Sequence, residues 1–234
     1  MKKKILIICA VVLLLGILSY GTLAYFHDTD TVTNTFTVGN VKITQTEQQH
    51  DANGQLVAFQ QDQTLLPVVN VNDPSSDENY VEKIVTVSST GNNPAYVRTH
   101  IAVPTALVDV LTLDLSDSAN WVQEAATTTQ DVQIDGKTVN FTVFSYTYTQ
   151  ELAKGETTDA LLEGVYMNAN VDMKENGGKP QFCTWNGASY DFYDYDVAQK
   201  VYVLVATQGV QSQGFADAAS ALDAAFPNVP DFNA

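Results

Sequence analysis

The chain alternates apolar and polar positions with a period of two over most of its length, which is typical of β-strands. Segment 95–103 is the clearest case, because its odd-numbered and even-numbered residues would fall on opposite faces of a sheet. The face predicted to lie in the core carries Val97, Thr99, Ile101 and Val103, and the opposite face carries Tyr96, Arg98 and His100. We therefore predict a strand in this segment with one buried face.

Short turn motifs separate the strand segments. Asn-Gly at 53–54 and Asp-Gly at 135–136 favour tight hairpin turns, and Lys-Gly-Glu at 154–156 indicates a further turn. The strands predicted at 80–89 and 95–103 are close in sequence and rich in β-branched residues. We predict that these two strands pair as a hairpin.

The long strand predicted at 138–148 changes its apolar phase at residue 144. The apolar residues before the change are Val139, Phe141 and Val143, and those after it are Phe144, Tyr146 and Tyr148. Either a β-bulge at residue 144 or cover on both faces of the strand would explain this change.

The second half of the chain contains less regular segments. Residues 106–115 fit neither period cleanly, and we expect a short helix over the end of the sheet. Residues 174–196 are expected to form loops before a last strand at 197–207. Residues 215–226 place apolar side chains at helical spacing before Pro227, which predicts a C-terminal helix.

These patterns favour an all-β fold. We predict a two-sheet β-sandwich of jelly-roll connectivity, with short peripheral helices that include the C-terminal helix. No repeat of fixed period and no linker rich in proline, glycine or serine divides the chain. One sandwich domain is therefore expected.

The charge balance disfavours nucleic acid as a partner. The 234 residues include 27 acidic against 11 basic side chains, which gives a formal net charge of −16 at pH 7. Three of the basic residues, Lys2, Lys3 and Lys4, lie at the extreme N-terminus, so the rest of the chain is more acidic still. A surface of this sign repels phosphate backbones.

The N-terminus has the three parts of a secretory signal peptide. A basic start precedes an apolar run at residues 5–18, and Ala24 offers a small residue for cleavage before Tyr25. The uncharged stretch 5–26 is also long enough to span a bilayer, so an uncleaved anchor is the alternative. In both cases the basic start stays in the cytoplasm and the rest of the chain is exported.

The sequence is therefore divided into three parts. Residues 1–24 are predicted to be a signal peptide, residues 25–38 an N-terminal strand arm, and residues 39–234 a single β-sandwich domain. We expect contact with the membrane only through the signal segment, and contact with the signal peptidase during export.

No catalytic motif is visible. The histidines, His27, His50 and His100, are far apart in sequence, and the His-Glu-x-x-His pattern of zinc proteases is missing. Nucleophile-elbow, P-loop and dinucleotide motifs are missing as well. We expect no catalytic residues and no required cofactor.

Two features near the end of the chain have both a structural and a functional interpretation. The carboxylates of Asp191, Asp194 and Asp196 could bind calcium outside the cell, and the tyrosines between them could contact a carbohydrate or a partner. The preferred interpretation is a solvated acidic loop.

Cys183 is the single cysteine after the signal segment, so it has no intramolecular disulfide partner, and we expect a small buried side chain.

The arm at residues 25–38 is rich in threonine and β-branched residues. A free strand of this kind can add to the open sheet edge of a neighbour, and such head-to-tail contacts grow a filament. The alternative is that the arm folds back as the first strand of its own sandwich. The residues expected to carry assembly are Tyr25, Phe26, Val32, Asn34, Phe36 and Val38.

Residues 21–43 resemble the start of the TasA and camelysin-like proteins, which are exported through the signal peptidase SipW. The matching positions are a small residue at the cleavage site, an aromatic pair and an Asn-x-Phe-x-x-Gly step, which in this sequence are Ala24, Tyr25, Phe26, Asn34, Phe36 and Gly39. Segment 81–103 resembles a later strand pair of the family. The resemblance implies a Gram-positive surface or biofilm-matrix protein with a jelly-roll domain, whose N-terminal strand inserts into the next subunit.

We therefore expect a secreted structural subunit of a cell-surface or biofilm-matrix fibre rather than an enzyme. Through residues 25–38 it would polymerise with itself, head to tail, or with a related fibre subunit by donor-strand exchange. One alternative, implied by the resemblance, is a camelysin-like secreted or surface metalloprotease, although no zinc-binding motif supports it. A further alternative is a monomeric surface binding or adhesion module.

Overall fold

The computed structural model describes residues 27–31, 34–37, 41–134, 136–195 and 201–233. The predicted signal peptide, residues 1–24, lies outside the described residues. In chain order the strands are β1 (His27–Thr31), β2 (Asn34–Thr37), β3 (Ile43–His50), β4 (Leu56–Ala58), β5 (Val81–Ser89), β6 (Ala95–Pro104), β7 (Leu111–Leu115), β8 (Trp121–Gln123), β9 (Thr128–Ile134), β10 (Lys137–Tyr148), β11 (Leu162–Met167), β12 (Val171–Asn176), β13 (Lys179–Trp185), β14 (Tyr190–Phe192) and β15 (Leu204–Gln211). Short 3₁₀ turns occupy Pro74–Ser76 and Thr105–Leu107, and helix α1 (Ala218–Ala225) follows β15.

Two antiparallel sheets form the body of the molecule. Sheet A has the strand order β2-β1-β15-β6-β10-β8, with β9 also paired to β10, and sheet B has the order β4-β3-β5-β11-β7. A smaller sheet C contains β12, β13 and β14. The chain passes from one large sheet to the other after β2, β5, β6, β7 and β10. This architecture confirms the predicted all-β, two-sheet sandwich.

The main core lies between sheets A and B. Strands β6, β10 and β15 supply apolar side chains from one side, and β5, β7 and β11 supply them from the other. The most deeply buried members include Val85, Ile101, Leu107, Leu162 and Met167. Burial of this apolar surface is the dominant favourable term that holds the sheets together.

Strands β6 and β10 are buried on both faces, which corrects the prediction of one buried face for residues 95–103. Ile101 lies in the main core, whereas Ala102 packs on the outer face with Phe141 and Val143 of β10. Helix α1 and the segment after it supply the cover on that outer face. The register between β6 and β10 is continuous, so double-sided cover and not a bulge explains the phase change at residue 144.

The predicted hairpin between residues 80–89 and 95–103 is wrong, because β5 belongs to sheet B and β6 to sheet A. The backbone N–H groups of Thr90 and Gly91 both donate to the carbonyl oxygen of Lys42, just before β3. The loop is therefore tied across to a third strand, and the chain turns from one sheet into the other.

Two further predictions need correction. Residues 106–115 form the end of a 3₁₀ turn and then β7, because a helix of this length is only marginally stable and the segment pairs instead with the edge of β11. Residues 174–196 are not mainly loops. Gly177 and Gly178, at φ of 60° and 82°, make the two-residue turn that joins β12 to β13.

Other local predictions are confirmed. The hairpin of β9 and β10 turns at Gly136, whose φ is 76°. Helix α1 lies within the predicted range, and its N-terminus is capped by Asp217, which accepts a hydrogen bond of 2.8 Å from the backbone N–H of Ser220. The last strand of sheet A, β15, is shifted toward the C-terminus relative to the predicted 197–207, and residues 196–200 lie outside the described residues.

Candidate assembly site at the edge of sheet A

The N-terminal arm forms a two-stranded hairpin at one edge of sheet A. Strand β1 pairs antiparallel with β15 over five positions, from His27 opposite Val210 to Thr31 opposite Ala206. Strand β2 pairs with β1 and forms the outermost strand of the sheet order. The contact between this hairpin and the rest of sheet A therefore runs through the edge of β15.

Two of the predicted assembly residues belong to the described part of the chain. Asn34 and Phe36 lie in β2, where they pair with Thr31 and Thr29 of β1. The predicted cleavage site Ala24/Tyr25 and the remaining assembly residues Phe26, Val32 and Val38 lie outside the described residues.

The side of sheet B that β1 lies against carries polar side chains next to the buried apolar residues Ile43 and Val87. Strand β1 contacts β3 across the sandwich. The inner face of β3 and β5 at this point carries Gln45, Glu47 and Lys83, which we call the polar floor. An inner lining of this kind contrasts with the apolar residues that fill the main core.

Lys83 and Glu47 form an enclosed ion pair in the polar floor. The Lys83 ammonium donates a hydrogen bond to Glu47 Oε2, and the two side chains are only 5% and 10% exposed. The ring of Phe59 lies over the ammonium, with 4.3 Å between Lys83 Nζ and the ring centroid. Each buried charge is therefore compensated by its partner, and removal of one alone would leave the other uncompensated.

Hydrogen bonds connect the polar floor to sheet A. Gln45 donates through Nε2 to Glu47 Oε1 at 3.3 Å and to the carbonyl oxygen of Val205 at 3.4 Å. The hydroxyl of Thr207 in β15 donates to Gln45 Oε1 at 2.8 Å. Because that bond uses the only hydroxyl proton of Thr207, the hydroxyl of Thr99, 2.9 Å away, must donate to Thr207.

A second polar cluster lies on the outer face of sheet A, beside α1. The Arg98 guanidinium donates to Asp223 at 2.7 Å and lies 3.2 Å from Glu124. His100 is bonded to Ser145 Oγ at 2.8 Å and to Gln208 Oε1 at 3.0 Å.

The outer cluster borders a cavity of about 380 Å³. Burial lowers the pKa of His100 from 6.5 to about 4, so its ring is neutral near pH 7. A neutral ring donates through Nε2 to the Gln208 oxygen and accepts from Ser145, which gives each of its ring nitrogens a partner.

Two of the histidines considered from the sequence, His50 and His100, lie apart in the described part of the chain. His50 lies at the end of β3, with its Nδ1 2.7 Å from Glu82, whereas His100 is on the outer face of sheet A. Within the part of the chain that the structure describes, no three His, Cys, Asp or Glu side chains are grouped to hold a metal ion.

The calcium candidates lie at the end of sheet C. Asp191 accepts hydrogen bonds from the side-chain amide of Asn186 at 3.0 and 3.1 Å. Asp194 follows β14, and Asp196 lies outside the described residues. Calcium binding by this set stays a prediction.

Cys183 lies in β13 and is fully buried, as the structural interpretation predicted. Burial raises the pKa of its thiol above the ordinary value, which disfavours the reactive thiolate.

Sequence reasoning missed the polar floor. Its signal was present in residues 44–49, where glutamine, glutamate and threonine occupy both faces of the strand after the core residue Ile43. A strand that is polar on both faces but paired in the middle of a sheet must place some polar side chains inside. The position of Lys83 depends on long-range pairing of β3 with β5, which local sequence does not reveal.

The fold and this edge define a class of protein: a two-sheet β-sandwich whose N-terminal hairpin completes one sheet along its last strand. The family model described as camelysin metallo-endopeptidase matches residues 1–50 of the chain. This match confirms the resemblance to the camelysin and TasA-like proteins, and it covers the arm together with β3.

Comparison of the chain with curated proteins and with solved structures gives no match. Among the described residues, no helix has the length and apolar character that crossing a bilayer requires.

Proposed function

We propose that this protein is a secreted structural subunit of a cell-surface or biofilm-matrix fibre. Each subunit would donate the arm, residues 25–38, to the β15 edge of its neighbour. The observation that carries this proposal is the attachment of the arm hairpin to sheet A through one strand edge, that of β15. The camelysin-family match over residues 1–50 supports a secreted or surface location.

Exchange of the arm between subunits would replace one set of backbone hydrogen bonds with β15 by an identical set. An identical arm from a second subunit could form the same ladder with β15 that β1 forms, with the same five residue pairs. Because donor and acceptor lie at different places on the subunit, the contact is heterologous and generates an open chain of subunits.

The polar floor is suited to an arm that can leave. An acceptor groove must contact water whenever its strand is absent, and a large exposed apolar groove would cause nonspecific association. Beside the apolar Ile43, the polar floor of Gln45, Glu47 and Lys83 can be hydrated in that state, whereas the residues of the main core cannot be exposed at comparable cost.

The experiment compares assembly of protein that begins at Tyr25 with protein that lacks residues 25–38. Light scattering and negative-stain electron microscopy are carried out near neutral pH, with and without calcium. We expect filaments with a regular axial repeat from the longer protein and none from the shorter one, which should keep its far-ultraviolet β-sheet spectrum. Fibres that form at equal rates from both proteins would contradict arm donation, and a persistent monomer of the longer protein would favour a surface binding or adhesion module.

A second candidate function is metal-dependent proteolysis, which the name of the matching family model favours. This candidate predicts cleavage of unfolded protein substrates by the purified chain, with loss of activity on addition of a chelator and recovery with zinc. Activity that is insensitive to chelator, or no cleavage at all with added zinc, would reject it.

A further inference from the structure

The segment after α1, residues 228–233, lies along strand β9 of sheet A, and we call it the guard segment. Among the described strands, β9 pairs with β10 alone, at the end of sheet A opposite to the arm. Val229 and Phe232 of the guard segment pack against the apolar cluster that includes Val132 and Phe141. The guard segment therefore covers the part of the sheet where a further strand could be added.

The side chain of Asn233 takes the place of a neighbouring strand at the free edge of β9. The backbone N–H of Gln133 donates a hydrogen bond of 2.7 Å to Asn233 Oδ1, and Asn233 Nδ2 donates one of 3.0 Å to the carbonyl oxygen of Asp131. An amide side chain offers the same donor and acceptor as a peptide group, so it satisfies two edge groups as a strand residue would. Asp231 Oδ1 holds this amide in place, since it accepts from the backbone N–H of Asn233 at 2.9 Å and from Nδ2 at 3.0 Å.

A second amide side chain attaches the guard segment from the side of the strand. Gln130 in β9 accepts through Oε1 from the backbone N–H of Phe232 at 2.9 Å, and its Nε2 donates to the carbonyl oxygen of Pro230 at 3.4 Å. Among the described residues, the hydrogen bonds between the guard segment and β9 thus all involve a side-chain amide. They are few and local, so they can open without loss of the ladder between β9 and β10.

Strand β9 has little protection of its own against pairing with another chain. Natural edge strands are protected by lysine, by proline, by a bulge or by a cover. Strand β9 contains one charged residue, Asp131, and neither lysine nor proline, and its register with β10 is continuous. Strand β12, at the edge of sheet C, differs because it carries Asp172, Lys174 and Glu175. Cover by the guard segment is therefore the device that protects the edge of β9.

We propose that the edge of β9 is a second strand-pairing site, which the guard segment closes and which accepts β9 of a second copy of this chain when the guard segment is released. The edge is complementary to itself. Antiparallel pairing about a two-fold axis at Val132 places Asp131 of each copy opposite Gln133 of the other, so no like charges meet. This pairing uses the same outward backbone groups that Asn233 satisfies. The inference does not depend on arm donation, because the arm pairs with β15 at the opposite end of sheet A.

The test compares variants of the chain that begins at Tyr25. Asn233→Ala is the guard variant, which removes both bonds to the edge of β9 and keeps the apolar contacts of the guard segment. Gln133→Pro is the edge variant, because it deletes the outward N–H that pairing would use, and proline is tolerated on edge strands. The two changes are also combined. Asn176→Ala, which removes an exposed side-chain hydrogen bond in sheet C, is the matched control.

Amide hydrogen exchange follows the N–H of Gln133, and light scattering with electron microscopy follows the mass, each at low and at high protein concentration. At low concentration we expect this N–H to exchange about tenfold faster in the guard variant than in the unchanged protein, since its acceptor is gone. At high concentration the exchange should slow again. The mass, or the mass per length of any fibre, should then rise about twofold as copies pair. The combined variant and the control should keep the mass of the unchanged protein.

A guard variant whose mass equals that of the unchanged protein at every concentration would overturn the proposal, because the open edge of β9 would then not accept a second copy. Association that persists in the combined variant would assign the contact to the apolar outer face and would overturn it as well. If Gln133→Pro lowers the midpoint of thermal unfolding, Thr129→Lys, which adds a charge to the same edge, replaces it in the combination. Copies that pair through β9 in the unchanged protein would show that the guard segment does not close the edge.

Discussion

The two halves of the sandwich interior differ in their content of polar side chains. On the side of β7 and β11, the interior is apolar and includes Leu162 and Met167, which are inaccessible to solvent. On the side of β3, the interior contains an apolar cluster around Ile43 and, next to it, the polar floor of Gln45, Glu47 and Lys83. The first half is an apolar core, whereas the second combines a smaller apolar cluster with buried polar groups.

Strand donation supplies a physical reason for this difference. Strands of the apolar half are joined by continuous chain and never need to separate from one another. The arm pairs with a single strand of the sheet that remains, so its removal breaks one strand pairing of sheet A. A polar lining limits the cost of exposing the groove when the arm is absent.

The largest effect is expected in the apolar half. Leu162→Ala should lower the free energy of unfolding by about 4 kcal/mol, because the cavity left by a fully buried leucine adds to the lost transfer energy. Chemical denaturation provides the measurement. Val69→Ala, at a side chain that is 82% exposed, is the control and should change stability by less than about 0.5 kcal/mol. Equal effects of the two changes would show that this half is not a tightly packed core.

The polar half should respond differently to single and paired changes. Lys83→Met should destabilise the protein by about 3 kcal/mol, since Glu47 is left as an uncompensated charge in an enclosed site. Addition of Glu47→Gln should recover most of the loss. Denaturation of the two variants in parallel tests this, and a double variant as unstable as the single one would mean that packing, and not charge, holds the pair.

The outer cluster should make stability depend on pH. The pKa of His100 is lowered from 6.5 to about 4 by burial, so between these values the unfolded chain binds a proton that the folded chain does not. The contribution of His100 to the free energy of unfolding is complete above pH 6.5 and is lost as pH falls toward 4. The expected loss between pH 7 and pH 5 is about 2 kcal/mol. Replacement of His100 by Gln should remove this part of the pH dependence, and identical slopes for the variant and the parent protein would contradict it.

The smallest effect is expected where the polar floor meets sheet A. Thr207→Val keeps the shape of the side chain but removes both the donor to Gln45 and the acceptor of the Thr99 hydroxyl, so a cost of about 1.5 kcal/mol in unfolding free energy is expected. Thr138→Val, which removes an exposed hydrogen bond with Gln133, serves as control. A Thr207→Val variant that is as stable as the parent would show that Gln45 and Thr99 find other partners without cost.

The success of sequence reasoning depended on how local each signal was. The strand β6, the turn at Gly136 and the spacing of α1 are set by neighbouring residues, and the structure confirms them, although β6 is buried on both faces and not on one. The failure at β5 and β6 arose because proximity in sequence was taken as pairing, whereas the loop bonds to Lys42 and crosses between sheets. Sheet C was missed although Gly177-Gly178 is a known two-residue turn.

The candidate site was predicted only in part. The arm was recognised from its threonine-rich pattern and its resemblance to TasA and camelysin-like proteins, and the family match covers it. The acceptor side could not be foreseen, because Gln45, Lys83 and Thr207 are far apart in sequence and meet through the pairing of β3, β5 and β15.

The most direct test of strand donation is a disulfide trap between β1 and β15. Thr31 and Ala206 are paired residues, so one chain carrying Thr31→Cys is mixed with another carrying Ala206→Cys, and both begin at Tyr25. After assembly and mild oxidation, denaturing electrophoresis shows whether the two chains are linked. Strand donation predicts disulfide-linked dimers from the mixture and ladders from a chain that carries both changes. No dimers from the mixture, with closure only within single chains of the double variant, would contradict arm donation and show that each subunit completes its own sheet.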